Sequence, residues 1–150
     1  MRRLSTLVIA AVAVATAACG DSTTAPDISA TTFAPSLNVD LGSMTKTASG
    51  LYYKGSIVGS GATAQAGRTV TVNYTGWLTN GTRFDSGQIP NLPLGAGAVI
   101  PGWDEGLVGM KVCGWRKLVI PPALGHGSSG SGPIPGNAVL IFNVQLVAAN

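Results

Sequence analysis

Hydrophobic and polar residues alternate most strictly near the end of the chain. From Val139 to Val147, Leu140, Phe142, Val144 and Leu146 fall on one side, with Asn143 and Gln145 on the other. A period of two sends successive side chains to opposite faces, so this stretch predicts a half-buried strand. The same pattern runs from Thr69 to Thr75, where Val70, Val72 and Tyr74 share a face. Trp115–Ile120 and the run from Gly50 to Lys54 are further strand candidates. Turn signals separate them: Thr79-Asn80-Gly81-Thr82, Gly95-Ala96-Gly97, and the stretch from Gly125 to Gly132, which reads as a floppy loop. One segment changes period. Between Gly102 and Met110, the residues Trp103, Leu107 and Met110 recur at helical spacing, and Asp104 and Glu105 fall where negative charge suits a helix start. Gly106 and Gly109 lower the helical propensity, so this helix has to lean on tertiary packing. Strands with one short amphipathic helix imply an α+β domain, the helix covering one face of an antiparallel sheet.

The N-terminus follows another logic. Arg2 and Arg3 precede an uncharged run from Leu4 to Ala18, the charged and apolar regions of a secretory signal over residues 1–18. That run is short for a spanning helix, which needs ~20 residues. Small residues lead into Cys19 as Thr16-Ala17-Ala18-Cys19-Gly20. This resembles a bacterial lipobox, although the pattern prefers Leu where Thr16 stands. Two readings follow: acylation of Cys19, or ordinary cleavage after Ala17 or Ala18 that leaves a soluble exported protein. Two acyl chains anchor a protein firmly, whereas one anchors only marginally. Residues 19–43, rich in Ser, Thr, Ala, Pro and Asp, read as a flexible tether, with Phe33 to Leu41 able to pack on the domain. The domain itself then spans residues 44–150.

Composition narrows the choice of chemistry. Charged residues make up 10% of the chain, and the net charge is +3. Without Arg2 and Arg3, seven basic residues face six acidic ones, so the basic balance says little about partners. No basic stripe with interleaved aromatics appears, which argues against nucleic acid. The sequence has one histidine and two cysteines, Cys19 and Cys113, far apart; these make neither a metal site nor a redox pair. Cys113 reads as a structural residue in a turn. The glycines after Gly125 open no helix and carry no Lys, so no phosphate loop is present. No cofactor is called for, and nothing points beyond a monomer.

Four segments in order resemble the FKBP family of peptidyl-prolyl isomerases. They are Val72-Asn73-Tyr74-Thr75-Gly76-Trp77-Leu78, Gly81-Thr82-Arg83-Phe84-Asp85-Ser86, Val99-Ile100-Pro101-Gly102-Trp103-Asp104-Glu105-Gly106-Leu107, and Lys117-Leu118-Val119-Ile120-Pro121-Pro122. With Gly50-Leu51-Tyr52-Tyr53 before them and the final strand after, the resemblance covers roughly residues 49–147. It implies a curved antiparallel sheet wrapped around one short helix, with a shallow apolar pocket between them. By position, that pocket uses Tyr74, Phe84, Asp85, Val99, Ile100, Trp103 and Phe142. Trp103 is its floor, Tyr74, Phe84 and Phe142 are walls, and the Ile100 N–H holds a substrate carbonyl. Asp85 is implied to be a buried acceptor pinning its neighbours. Ile134 comes from the loop before the last strand. Trp77 and Trp115 match no pocket position and read as structural.

Three departures from the family pattern stand out. His126 occupies the place of a usual Tyr, either as a replacement donor to substrate or as a plain loop residue. The stretch from Asp85 to Val99 is short, with Pro90 or Leu92 where another pocket aromatic often falls. Leu124 replaces a common aromatic or charged residue. The resemblance implies catalysis on proline-containing unfolded or exported polypeptides, and binding of macrolide immunosuppressants. The competing readings are a non-catalytic chaperone or proline-peptide module on the same fold, and a surface lipoprotein with a structural role. The targeting segment adds an exported protein facing the periplasm or cell exterior, held to a membrane through its lipid anchor or released as a soluble form.

Overall fold

The computed structural model describes residues 27–150. The targeting segment and Cys19 lie outside the described residues. Six strands form one antiparallel sheet: β1 (Thr45–Lys46), β2 (Tyr52–Ile57), β3 (Thr69–Leu78), β4 (Arg83–Pro93), β5 (Trp115–Ile120) and β6 (Leu140–Ala149). Their order across the sheet is β1-β2-β5-β6-β3-β4. Among the described residues one short α-helix, α1 (Pro101–Gly106), lies against the inner face. The alternation read from the sequence decides which side chains meet it. Val70, Val72, Leu118, Ile120, Leu140, Val144 and Leu146 are fully buried there, beneath Trp103, Leu107 and Met110.

Glycine lets α1 come this close. A Cβ at Gly102 would stand 2.6 Å from Ile120 Cγ2, and one at Gly106 would stand 2.7 Å from Leu118 Cδ2. Gly106, which weakens the isolated helix, is thus also one of the residues that seat it on β5. The helix is also shorter than the predicted span to Met110. It stops at Gly106, and Gly109, at φ 84°, turns the chain so that its N–H bonds Ala64 O. Arg116 closes the helix end, its Nη1 donating to Gly106 O at 2.7 Å and Val108 O at 3.1 Å. Its guanidinium sits 4.9 Å from the Tyr53 ring centre. Burial lowers the Arg116 pKa from its ordinary value.

Two features depart from the sequence expectation. β4 has no counterpart in it, because an edge strand with Gly87 and Pro90 shows no clean alternation. Proline lacks a ladder donor and is confined to edges and bulges. Here the register slips between Val72↔Ile89 and Val70↔Leu92, leaving Pro90 and Asn91 opposite Thr71 alone, with Asn91 at φ 49°. The second feature is the segment before the domain. From Ile28 onward it is no tether but a strap of three 3-10 turns, Ile28–Ala30, Pro35–Leu37 and Leu41–Ser43, laid on the outer face of the sheet. Ile28 and Leu37 are buried there against Tyr52, Val119, Val139 and Ile141. Trp77 packs on the same cluster, and the Lys117 ammonium donates to the carbonyls of Leu37 and Asn38. Trp115 is 37% exposed and belongs to neither buried cluster.

The glycine-rich stretch from Gly125 to Gly132 is a series of tied turns. Gly127 N–H donates to Pro122 O, Asn137 N–H to Gly127 O, and Ser131 and Ile134 bridge each other. Cys113 is exposed in its turn at φ 71°, its N–H bonded to Leu146 O. No described helix is long and apolar enough to cross a membrane.

Candidate active site

A cleft of about 390 Å³ opens between α1, the β4 edge and the loop before β6. Trp103, on the inner face of α1, is 3% exposed and forms its floor. Three aromatic rings fix that indole and one another. Tyr74 meets it at 5.1 Å between centroids and 76°, and Phe142 at 5.2 Å and 89°. Phe84 meets Phe142 at 5.5 Å and 89°. Edge-to-face packing suits the ring quadrupoles, and each such pair contributes about 0.5–1.5 kcal/mol beyond its buried area. The Trp103 Nε1 is buried with no partner among the described residues, an unusual cost that the site carries.

The rings converge because β3, β4 and β6 are neighbours. Gly76 on β3 lies between Asp85 and Phe142 in register. A Cβ there would come within 2.6 Å of Phe142 Cε1 and 2.7 Å of Phe84 Cζ. Glycine at this position therefore makes the space in which Phe84 and Phe142 meet.

Polar groups are few and confined to the rim. The Tyr74 hydroxyl donates to Asp85 Oδ2 at 2.7 Å, and the Ser86 N–H donates to Asp85 Oδ1 at 2.8 Å. Burial, then the Asp85 hydrogen bond and charge, push the Tyr74 pKa up to about 12. Asp85 holds its neighbours, but it does so from an exposed edge strand and is not buried. Val99 and Ile100 line the cleft at the entry to α1, where Ile100 is the N-cap. Main-chain N–H groups at such a position have no acceptor within the helix. Asp104 ties down the preceding loop, accepting from Gly95 N–H at 2.9 Å and Gly97 N–H at 3.1 Å.

The structure brings Phe84, Asp85, Val99, Ile100, Trp103, His126, Ile134 and Phe142 to one cleft, with Tyr74 directly behind its floor. His126 is half-buried in the wall. Leu92 does not belong to this group. It is buried in the main core opposite Val70, and Ile89, opposite Val72 and nearer Phe84, lines the cleft instead. Sequence reasoning missed Ile89 because the slip at Pro90 and Asn91 is invisible without the partner strand. Pro133, beside Ile134 on the loop, was also missed. Its signal was the Pro133-Ile134-Pro135 run within a glycine-rich stretch. Among the described residues no group of His, Cys, Asp and Glu could hold a metal ion.

A largely apolar, aromatic-floored cleft between a short helix and a curved sheet, with one carboxylate at its rim, defines a class of proline-directed isomerases. The model of the FKBP-type peptidyl-prolyl cis-trans isomerase family matches residues 60–147, and the chain belongs to that family. An FK506-binding protein of Neisseria meningitidis serogroup B is 52% identical over 94 residues, covering 59% of this chain and 86% of that protein. Among solved structures, FkpA from Escherichia coli superposes with a TM-score of 0.66 at 38% identity, covering 71% of this chain and 51% of the other. The crystal structure of AtFKBP13 gives a TM-score of 0.67 at 32% identity, covering 71% of this chain and 98% of that one. The chain is therefore a peptidyl-prolyl cis-trans isomerase in fold and family.

Proposed function

We propose that the Trp103-floored cleft is where isomerisation takes place, on X-Pro bonds of exported polypeptides. Rotation about a peptide bond costs about 18–20 kcal/mol because the C–N bond has double-bond character. For X-Pro the two isomers differ by only ~0.5–1 kcal/mol, yet exchange takes tens of seconds or more. No bond has to break, so no nucleophile is needed. The cleft has only to bind the twisted amide more tightly than the planar one. Twisting returns the lone pair to nitrogen and reduces charge separation across C–N. A dry apolar surface favours that less polar arrangement. The proline ring lies on the Trp103 indole, beside the packed Phe84 and Phe142 rings, with Val99 and Ile89 at the sides. The Ile100 N–H holds the carbonyl that follows or precedes the ring, and His126 supplies a second donor from the opposite wall.

The observation that carries this reading is the fixed indole: Trp103 is 3% exposed yet lines an open cleft, held edge-on by Tyr74 and Phe142. The same surface suits macrolide immunosuppressants, which the FK506-binding relatives' name evokes. Cys19 carries the lipid in this reading, and the monomeric domain works on chains that have crossed the membrane. What supports it is the charged and apolar order of residues 1–18 and the small residues before Cys19.

The test is a protease-coupled isomerisation assay on the full chain beside Trp103→Ala and Asp85→Val. Wild type should accelerate exchange clearly. Both variants should lose about tenfold or more in kcat/KM, equivalent to ~1.4 kcal/mol of transition-state binding. A folded wild type with no acceleration would sink the reading. Labelling of the chain by radioactive palmitate, abolished in Cys19→Ala, tests the anchor separately.

A further inference from the structure

A second cavity, of about 280 Å³, is built partly from the loop that also lines the isomerase cleft. It lies between the β3–β4 turn and the loop that leads into β6. Both walls continue segments that also build the cleft. In the loop, Pro133 and Ile134 line the cleft and the next two residues, Pro135 and Gly136, line the second cavity. On the other side, Leu78, Thr79 and Asn80 line the second cavity, and the strand that leaves this turn carries Phe84 and Asp85 to the cleft. Ile134 and Pro135 are consecutive, so along this loop the linings of the two openings follow directly on one another.

The third wall is the strap. Thr31 faces the second cavity, and Ala34 N–H donates to Thr79 O at 2.7 Å. Both belong to a segment outside the family-matched residues 60–147. The cavity is also built rather than loose. Asn80 Oδ1 accepts from Thr82 N–H at 2.9 Å, and Asn137 N–H donates to Gly127 O at 2.8 Å.

We infer that this cavity is a subsite for the substrate chain itself, taking an uncharged, extended stretch that flanks the X-Pro bond. This rests on the cleft being the isomerisation site. The substrate is a polypeptide, so its chain must leave the cleft on both sides of the proline ring. An extended chain advances about 3.3 Å per residue, so a short flanking stretch can follow the loop from Ile134 past Pro135 toward the second cavity. The lining is polar and uncharged: Thr31, Thr79, Asn80 and Asn137 contribute to it, the Thr31 hydroxyl already donating to Asp27 O and Asn80 Oδ1 already accepting from Thr82 N–H, and no charged side chain lines it. Binding energy from such a remote contact is available to hold the reacting bond in place.

The experiment compares two substrates on the full chain. One is an X-Pro tetrapeptide that fills only the cleft. The other carries four uncharged Ser, Thr and Gly residues added on either side of it. Wild type should favour the extended peptide at least threefold in kcat/KM. Thr31→Trp, which fills the cavity from the strap, should abolish that preference and keep the tetrapeptide rate. Thr79→Val, which removes one hydroxyl and keeps the shape, should reduce the preference, and it decides the matter should the bulky variant fail to fold. A wild type without preference for extension overturns the inference. So does a preference that survives Thr31→Trp in a folded protein, or a variant that slows both peptides equally. The tetrapeptide rate reads the cleft and the extension preference reads the subsite, so failure of one is separable from failure of the other.

Discussion

The Tyr74 hydroxyl donates to Asp85 Oδ2 at 2.7 Å across the β3–β4 pair, joining a ring behind the cleft floor to a carboxylate on its rim. Burial first, and Asp85 second, push the phenol's pKa from 10.0 to about 12. The folded value is the higher one, so the unfolded chain releases this proton first. The stability tied to the protonated phenol is fully present below pH 10 and is lost as pH rises from 10 toward 12. Denaturant midpoints measured at several pH values should fall across that window in wild type. Tyr74→Phe should show a shallower fall, with the difference confined to the same window. An identical pH dependence in the two proteins would disprove the linkage.

Gly76 should tolerate no side chain. Its missing Cβ is what lets the Phe84 and Phe142 rings pack directly onto β3. Overpacking a tight site costs typically about 1–3 kcal/mol. Gly76→Ala should therefore lower stability by about that amount and reduce isomerase activity in the protein that remains folded. Thermal unfolding and the coupled assay, run on one preparation, check both parts.

The strap should contribute to stability as a core element does. Leu37 is 6% exposed, against Val119 and Ile141. Leu→Ala changes in cores cost about 2–5 kcal/mol. Leu37→Ala should sit at the low end, about 2 kcal/mol, because the strap can settle onto the gap. A tether without packing would give no measurable change in the urea midpoint.

Arg116 should matter more than a surface cation. It donates to Gly106 O and Val108 O at the end of the helix that carries Trp103, while stacked on Tyr53. Hydrogen bonds to a charged group contribute about 1.5–3 kcal/mol. Arg116→Met keeps much of the apolar stem and removes the donors, so it should cost about 2 kcal/mol in stability. Arg116→Lys cannot reproduce the planar fork and should recover only part of that loss. Equal stability of wild type and the Met variant would show that the helix end needs no such closure.

Much of this protein is determined by its sequence alone. Strict alternation in β3 and β6 settles which side chains face inward, since a pleated strand has only two faces. The spacing of Trp103, Leu107 and Met110 settles the buried face of the helix, and the ordered segments around Phe84, Trp103 and Phe142 point to the family. Other features needed the tertiary structure. Helix length depended on where Gly106 and Gly109 let the chain leave β5 and reach Ala64. The choice of Ile89 over Leu92 depended on a slipped register, which exists only between two strands. Asp85 holds Tyr74 from an exposed edge because β4 ends the sheet there. The strap has no period to reveal it. Its apolar residues are irregularly spaced, and they find a common surface only when Tyr52, Val119 and Ile141, far apart in the chain, are brought side by side on the outer face of the sheet.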